Sequence, residues 1–278
     1  MIADMAAPAE GLSAAPAVRK SSAFKSIFIV ASGNFLEMFD FMVFGYYATY
    51  ISKAFFPTGS EFGSLLLTLM TFGAGFLMRP LGALVLGAYV DHHGRRKGLL
   101  LVLGLMALGT LAIAVTPTYE QIGLAAPLII LAGRLVQGLS AGVEVGGVSV
   151  YLNEIAPPNA KGFYTSWQSA SQQAAVVFAA LIGLIVSTSL DAETMQAWGW
   201  RVPFIIGCIM IPFLFVIRSH VEETDAFLTR KEHPKIGQIM RIIGANWGLV
   251  LQGALMAVMT TVFFYMITPT PRPSAARC

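Results

Sequence analysis

The sequence predicts an all-α polytopic membrane protein, and three of its features support that fold class. Of the 278 residues, 56% are hydrophobic and only 12% are charged, against about 25% charged in soluble domains. Long apolar runs recur along the chain, and each reaches the length of about 20 residues that a helix needs to cross a bilayer. Short polar turns separate these runs, so the chain is expected to cross the membrane repeatedly.

Six apolar runs, and a seventh beyond a polar stretch, define the predicted helices. Their ranges are 24–51, 62–90, 98–117, 122–153, 163–188, 201–218 and 247–267. Pro57 ends the first run, Pro117 the third and Pro157 the fourth, because proline disfavours a helical conformation in the residue before it. The predicted organisation is a disordered leader at 1–23, a six-helix unit at 24–218, a linker at 219–245, a seventh helix at 246–267 and an aberrant tail at 268–278.

Lysine and arginine residues are distributed unequally between alternate turns. If the N-terminus is inside, the inner segments hold twelve of them and the outer segments hold two, Lys53 and Arg201. Short cytoplasmic loops carry an excess of these residues, so the N-terminus, the leader and the linker are predicted to be cytoplasmic. The leader has no apolar core, unlike a secretory signal peptide.

Polar residues inside the first two spans are the first candidates for function, because burying charge in hydrocarbon is costly. Asn34, Glu37 and Asp40 recur at three-residue spacing and share one helical face. They indicate either a cavity-lining stripe with carboxylates that exchange protons, or a set of interhelical hydrogen bonds. Arg79, just before Pro80, offers a fork-shaped cation to an anionic substrate. The alternative is that Arg79 pairs with Glu37 or Asp40.

The fourth span combines a polar face with a glycine face. The polar residues fall within an arc of about 120° and are Arg134, Gln137, Ser140 and Glu144. The glycines repeat every fourth residue and are Gly138, Gly142 and Gly146. The glycine face predicts close helix packing, and the polar face predicts a water-filled cavity. A structural contact between Arg134 and Glu144 is the alternative interpretation.

The fifth span opens with neutral hydrogen-bonding residues. Gln172 shares one helical face with Thr165 and with either Gln168 or Ser169. Such side chains can hold hydroxyl and carboxyl oxygens of a substrate. Polar packing between helices is the alternative.

The charged turn at 87–97 reads Gly-Ala-Tyr-Val-Asp-His-His-Gly-Arg-Arg-Lys. It resembles the loop that joins the second and third helices in the major facilitator superfamily. The turn at 154–162 resembles a second motif of that superfamily, with a lysine in place of arginine. The charged residues of the two turns are expected to pair with one another when the cytoplasmic side closes. The alternative is that they only keep positive charge on the cytoplasmic side of the membrane. The expected gating residues are Asp91, Arg95, Arg96, Glu154 and Lys161.

Segments 33–41 and 138–147 resemble the metabolite:proton symporter branch of the superfamily, and segments 146–152 and 161–173 are most similar to citrate–proton symporters. The resemblance covers about 24–267. It implies the six-helix N-terminal half of a major facilitator fold plus a seventh helix. It also implies proton-coupled symport of citrate or a related tri- or dicarboxylate across the bacterial inner membrane by alternating access.

The polar faces and the resemblance together define an expected site. The expected substrate-binding residues are Arg79, Arg134, Asn34, Gln137, Gln168 and Gln172. The expected proton-coupling residues are Asp40, Glu37 and Glu144. The family motif that begins at Arg134 also implies a part for that arginine in proton coupling.

The sequence lacks the motifs that would indicate other classes of function. The sequence has no nucleotide-binding loop, nucleophile triad or metal-ligand spacing, and its two cysteines form no framework. We therefore expect no enzyme, no cofactor, no metal and no nucleic-acid partner; the expected partners are the carboxylate, protons and the lipid bilayer. Two alternatives stay open: a proton symporter for another solute, such as a dicarboxylate or an osmolyte, and a truncated fragment that does not transport.

The tail at 268–278 bears on the second alternative. Family members are expected to have about twelve helices, and this proline-rich tail cannot continue a span. The tail resembles a translation, one nucleotide out of frame, of the coding sequence that family members have at this position. A frameshift that removed the second half is the hypothesis, and the coding DNA would test it.

Overall fold

The computed structural model describes residues 20–220 and 236–267, and all regular structure in these ranges is helical. Six helices, one of them extended by a 3₁₀ turn, are long and apolar enough to cross a membrane. They are α1 (Lys20–Tyr46), α3 (Glu61–His93), α4 (Arg95–Val115), α6 (Ala125–Ile155), α7 (Lys161–Ser189) and α9 (Val202–Arg218). The prediction of six spans is therefore confirmed.

Short helices connect the long ones. They are α2 (Ala48–Phe55), α5 (Tyr119–Ile122) and α8 (Ala192–Ala197), with a 3₁₀ turn at Gly199–Arg201 before α9. The first predicted span was continuous to residue 51, whereas the chain breaks at Tyr47 and resumes as α2. The fourth begins at Ala125 and not at 122, because Gly123 adopts a positive φ of 60° that separates α5 from α6.

Two helices lie in the second described range, 236–267. They are α10 (Ile236–Ala245) and α11 (Trp247–Ile267). Helix α10 occupies the end of the predicted linker, and α11 coincides with the predicted seventh span. The described side chains of α11 are exposed. The predicted tail and most of the predicted leader lie outside the described residues, and residues 20–23 belong to α1.

The loops between helices carry local capping signals. The Ser60 hydroxyl accepts a hydrogen bond from the Gly63 backbone N–H and starts α3. Asp191 caps α8 in the same way, accepting from the Thr194 N–H at 3.2 Å. Hydrogen bonds from Thr194 lower the pKa of the Asp191 carboxyl. Gly94, with a φ of 99°, separates α3 from α4.

Helices α3 and α6 approach through their glycines. A Cβ on Gly138 would overlap the backbone carbonyl of Gly75, and a Cβ on Gly142 would overlap the carbonyl of Arg79. The predicted glycine face thus packs directly on α3, except at Gly146, where space is open. This backbone contact fixes the depth at which Arg79 lies beside α6.

The middle of α1 is buried by its neighbours. Its apolar side chains join a cluster that α4, α6, α7 and α9 also line, with Phe39, Phe44, Phe55, Trp200 and Phe204 fully buried. The middle of α1 is therefore surrounded by the other helices, whereas Phe24 and Phe28 near its start are exposed. Its polar residues must find partners inside the bundle.

Candidate functional site

Among the residues that the structure describes, three buried acids pair with arginines on neighbouring long helices. The pairs join Glu37 of α1 to Arg79 of α3, Asp40 of α1 to Arg134 of α6, and Glu144 of α6 to Arg218 of α9. All three acids are buried. Because an unpaired charge in this environment is costly, each acid is matched by an arginine on a neighbouring helix.

Asp40 has the most complete set of partners. Its Oδ2 accepts from Arg134 Nη1 at 2.9 Å and from Gln137 Nε2 at 3.0 Å, and its Oδ1 accepts from the Thr110 hydroxyl at 3.0 Å. The Arg134 guanidinium also lies 3.7 Å from the ring centroid of Phe44. Arg134 is fully buried, so this cluster is closed to solutes in the conformation described.

Glu37 and Arg79 form a more open pair. Arg79 Nη2 donates to Glu37 Oε1 at 3.2 Å, and the Arg79 and Glu37 side chains are 27% and 8% exposed, respectively. The guanidinium carbon lies 4.7 Å from the ring centroid of Phe41 and 4.5 Å from that of Phe76. The aromatic rings therefore support a partly exposed cation.

Glu144 and Arg218 form the third pair. Arg218 donates through Nη1 and Nη2 to the two carboxylate oxygens of Glu144, and also to the backbone carbonyls of Val30 and Leu99, each at 3.2 Å. A Cβ on Gly33 would overlap the guanidinium. Arg218 thereby links the end of α9 to α1, α4 and α6.

Arg218 was missed as a site residue in the sequence. In the sequence, Arg218 ends the sixth apolar run and was predicted only to be one of the positive charges on the cytoplasmic side. The structure pairs Glu144 with Arg218 and Arg134 with Asp40, so the contact between Arg134 and Glu144 that we considered is not the one formed. A signal existed in Gly33, which faces the guanidinium, but a glycine alone does not identify its neighbour.

Asn34 connects α1 to α7. Its amide donates to the backbone carbonyl of Gln168 and to the Ser171 hydroxyl, both at 2.9 Å, and its oxygen accepts from Gln172 Nε2 at 3.2 Å. The Gln168 side chain accepts from the Ser149 hydroxyl and donates to the Val145 carbonyl at 3.1 Å. The predicted neutral donors are thus brought together, and both glutamines are partly exposed.

The expected gating residues lie at one end of the bundle. Asp91 is near the end of α3, Arg96 in the first turn of α4, Glu154 near the end of α6 and Lys161 at the start of α7. Arg96 and Lys161 are exposed, and Asp91 and Glu154 are partly buried. Asp91 also lines a cavity of about 340 Å³ between α3 and α6. The side chain of Arg95 lies outside the description, and the expected pairing stays a prediction.

In the part of the chain that the structure describes, no cluster of three or more histidine, cysteine, aspartate or glutamate residues could hold a metal ion.

A family described as "Sugar (and other) transporter" matches residues 26–238. The chain belongs to this family of transporters. A citrate-proton symporter of Salmonella typhi is 58% identical over 91% of the chain, and one of Klebsiella pneumoniae is 55% identical over 87%. An alpha-ketoglutarate permease of Escherichia coli is 39% identical over 72%. The chain spans only 46–58% of the length of these relatives.

Solved structures of the major facilitator superfamily share the fold. A proton:xylose symporter bound to a bromodeoxyglucose matches with a TM-score of 0.66 at 19% identity, over 76% of this chain and 47% of that one. An inward-open, partly occluded xylose transporter from Escherichia coli matches with a TM-score of 0.67 at 18% identity, over 81% and 54%. The predicted facilitator architecture is confirmed.

Proposed function

We propose that this chain supplies the six-helix half of a proton-coupled symporter for citrate or a related tri- or dicarboxylate. The carrier works by alternating access in the bacterial inner membrane, with its N-terminus in the cytoplasm. The observation that supports this proposal is the Glu37–Arg79 pair, a buried acid joined to a partly exposed cation. The citrate-proton symporters among its relatives support the choice of solute.

Arg79 is the proposed contact for a substrate carboxylate. A guanidinium can bind both oxygens of a carboxylate at once, and Nε of Arg79 has no hydrogen-bond partner among the described residues. Asn34, Gln168 and Gln172 supply neutral donors from α1 and α7. Arg134 and Gln137 form a deeper layer that reaches the substrate through a rearrangement of the Asp40 cluster.

The inner end of the bundle supplies the proposed gate. Acidic residues lie near the ends of α3 and α6, and basic residues begin α4 and α7. Opposite charges at these four ends attract when the helix ends approach and separate when the cytoplasmic side opens. Asp91, Arg95, Arg96, Glu154 and Lys161 are the residues that we assign to this step.

A different solute is the second candidate. Relatives at 39% and 32% identity are an alpha-ketoglutarate permease and a proline/betaine transporter. The fixed cation at Arg79 favours a ligand with more than one carboxylate over a zwitterion, because the ammonium group of a zwitterion would be repelled. A fragment without transport activity is the third candidate, since the curated relatives extend well beyond the matched part.

Uptake of radiolabelled citrate tests the proposal. The chain is expressed in a bacterial strain without a citrate carrier, alone and together with the C-terminal half of the Salmonella typhi relative. We expect citrate uptake that a protonophore abolishes and that Arg79→Ala reduces by about tenfold or more, the equivalent of about 1.4 kcal/mol. Lys53→Ala, which removes an exposed cation, serves as the matched control and should retain uptake.

The outcomes separate the three candidates. Uptake only with the added half shows that the chain is one half of the path. Uptake of betaine or proline in preference to citrate favours the second candidate. No uptake of any solute in either arrangement, with both polypeptides present in the membrane, contradicts the proposal.

A further inference from the structure

We propose that Glu37, and neither Asp40 nor Glu144, is the acid that carries the coupled proton, and that a substrate carboxylate causes its protonation by drawing Arg79 away. This inference rests on the proposed function, and it assigns a single residue to the proton. It follows from how completely the structure satisfies each of the three acids.

Asp40 is tied to three donors on two other helices. Both of its oxygens accept hydrogen bonds, from Thr110, Arg134 and Gln137. Gln137 Nε2 also donates to the Thr110 hydroxyl at 3.0 Å, which ties the donors to one another. A proton on Asp40 would leave the buried Arg134 guanidinium beside a neutral group, without a balancing negative charge.

Glu144 is held in the same way. Arg218 donates to both carboxylate oxygens, and its guanidinium is further fixed by the carbonyls of Val30 and Leu99. Both side chains are almost completely buried. Arg218 therefore cannot leave Glu144 without breaking contacts to three helices, and the pair is suited to a permanent structural role.

Glu37 differs from both. One of its oxygens, Oε1, accepts from Arg79, whereas Oε2 is buried and has no hydrogen-bond partner among the described residues. Arg79 is the most exposed of the three arginines. Its single hydrogen bond to the acid leaves the guanidinium free to turn toward an incoming anion while the rings of Phe41 and Phe76 stay beneath it.

The surrounding charges make Glu37 dependent on Arg79. The charged groups that act on Glu37 are Arg79 of α3, Glu144 of α6, Arg218 of α9 and Asp40 of α1. Glu144 and Arg218 neutralise each other, and Arg134 neutralises Asp40. Arg79 is thus the cation that balances Glu37. When a substrate carboxylate binds Arg79, Glu37 is left as a buried, uncompensated anion, which is costly.

Protonation removes that cost. The carboxylate of Glu37 accepts one proton from water on the open side and becomes neutral, and no other bond is formed or broken. When the substrate leaves, Arg79 returns to Glu37 and the proton is released to the side that is then open. Substrate and proton bind together because each favours the binding of the other, and this reciprocity is what symport requires.

Infrared difference spectroscopy of the chain in lipid nanodiscs tests the assignment. Addition of citrate at neutral pH should produce the carbonyl band of a newly protonated carboxylic acid. We expect Glu37→Gln to abolish this band, and Glu37→Asp, which keeps a carboxyl, to retain it. The matched variants Asp40→Asn and Glu144→Gln should retain the band wherever they remain folded by size-exclusion chromatography.

A second measurement needs no substrate. Arg79→Ala mimics removal of the cation and should show the protonated-acid band without citrate, and adding Glu37→Gln should remove it. If the band survives in that double variant, or disappears only with Asp40→Asn or Glu144→Gln, the assignment to Glu37 is overturned. If citrate has no effect on the wild type but the Arg79→Ala band depends on Glu37, the assignment to Glu37 stands, and the proposed protonation by citrate fails for this chain alone.

Discussion

Arg218 donates hydrogen bonds to both carboxylate oxygens of Glu144, and the pair is buried where α1, α4, α6 and α9 converge. Arg218 is the last residue of α9, and the predicted linker begins at the next position. The pair therefore fixes the end of the six-helix unit to the helix that carries Asn34, Glu37 and Asp40.

Removing one member of this pair should destabilise the bundle strongly. Arg218→Ala leaves Glu144 buried without its cation, which is expected to cost about 3–5 kcal/mol. The double variant Arg218→Met with Glu144→Leu should recover much of that loss, because no buried charge remains. Thermal unfolding of the purified chain in detergent measures both. Lys53→Ala, at an exposed ion pair, is the control and should cost less than about 1 kcal/mol.

The stability cost of substituting Gly33 should depend on Arg218. Alanine at this position overlaps the pinned guanidinium, so Gly33→Ala is expected to cost about 1–3 kcal/mol through overpacking. In an Arg218→Ala background the same change should cost little, because the overlapping group is gone. Gly45→Ala, which meets no atom within 4 Å, is the matched control. Equal costs for Gly33→Ala in both backgrounds would show that the two residues are not coupled.

Helix packing at Gly142 should control the position of Arg79. Gly142→Ala would overlap the backbone carbonyl of Arg79, whereas Gly146→Ala, one turn further, enters open space. We expect Gly142→Ala to lower the free energy of unfolding by about 1–3 kcal/mol and to reduce citrate uptake by displacing Arg79. Gly146→Ala should change neither. Unfolding and uptake measured on both variants distinguish a local packing effect from a general intolerance of alanine in α6.

The sequence predicts the helices and the polar residues better than it predicts their partners. Apolar length and proline breaks located six spans, and three-residue spacing placed Asn34, Glu37 and Asp40 on one face. Spacing along one helix, however, cannot say which arginine on another helix reaches each acid. The break at Tyr47 was not anticipated because that residue is neither proline nor glycine. Tyr47 is buried in the main apolar cluster, and spacing along the chain does not reveal contacts between helices.

The orientation of the chain can be tested with single cysteines. In a background of Cys208→Ser and Cys278→Ser, Lys97→Cys and Lys161→Cys should react with a membrane-impermeant maleimide only after the membrane is opened. Lys53→Cys should react in intact cells. The physical reason is the excess of positive residues in short cytoplasmic loops. Labelling of Lys161→Cys from outside would reverse the proposed topology.

Replacement of Arg79 by lysine should separate the effect of a positive charge at this position from the effect of the guanidinium geometry. The shorter ammonium side chain would keep a cation beside Glu37, but a point charge cannot hold two carboxylate oxygens as a guanidinium fork does. We expect Arg79→Lys to raise the KM for citrate about tenfold, or about 1.4 kcal/mol, whereas Arg79→Ala reduces uptake itself by about tenfold or more. Proton dependence should survive in Arg79→Lys, because the cation that Glu37 needs is still present. Initial rates of citrate uptake at several pH values, in the preparation that supports uptake by the wild type, measure both effects. An unchanged KM would mean that Arg79 balances Glu37 without contacting the substrate.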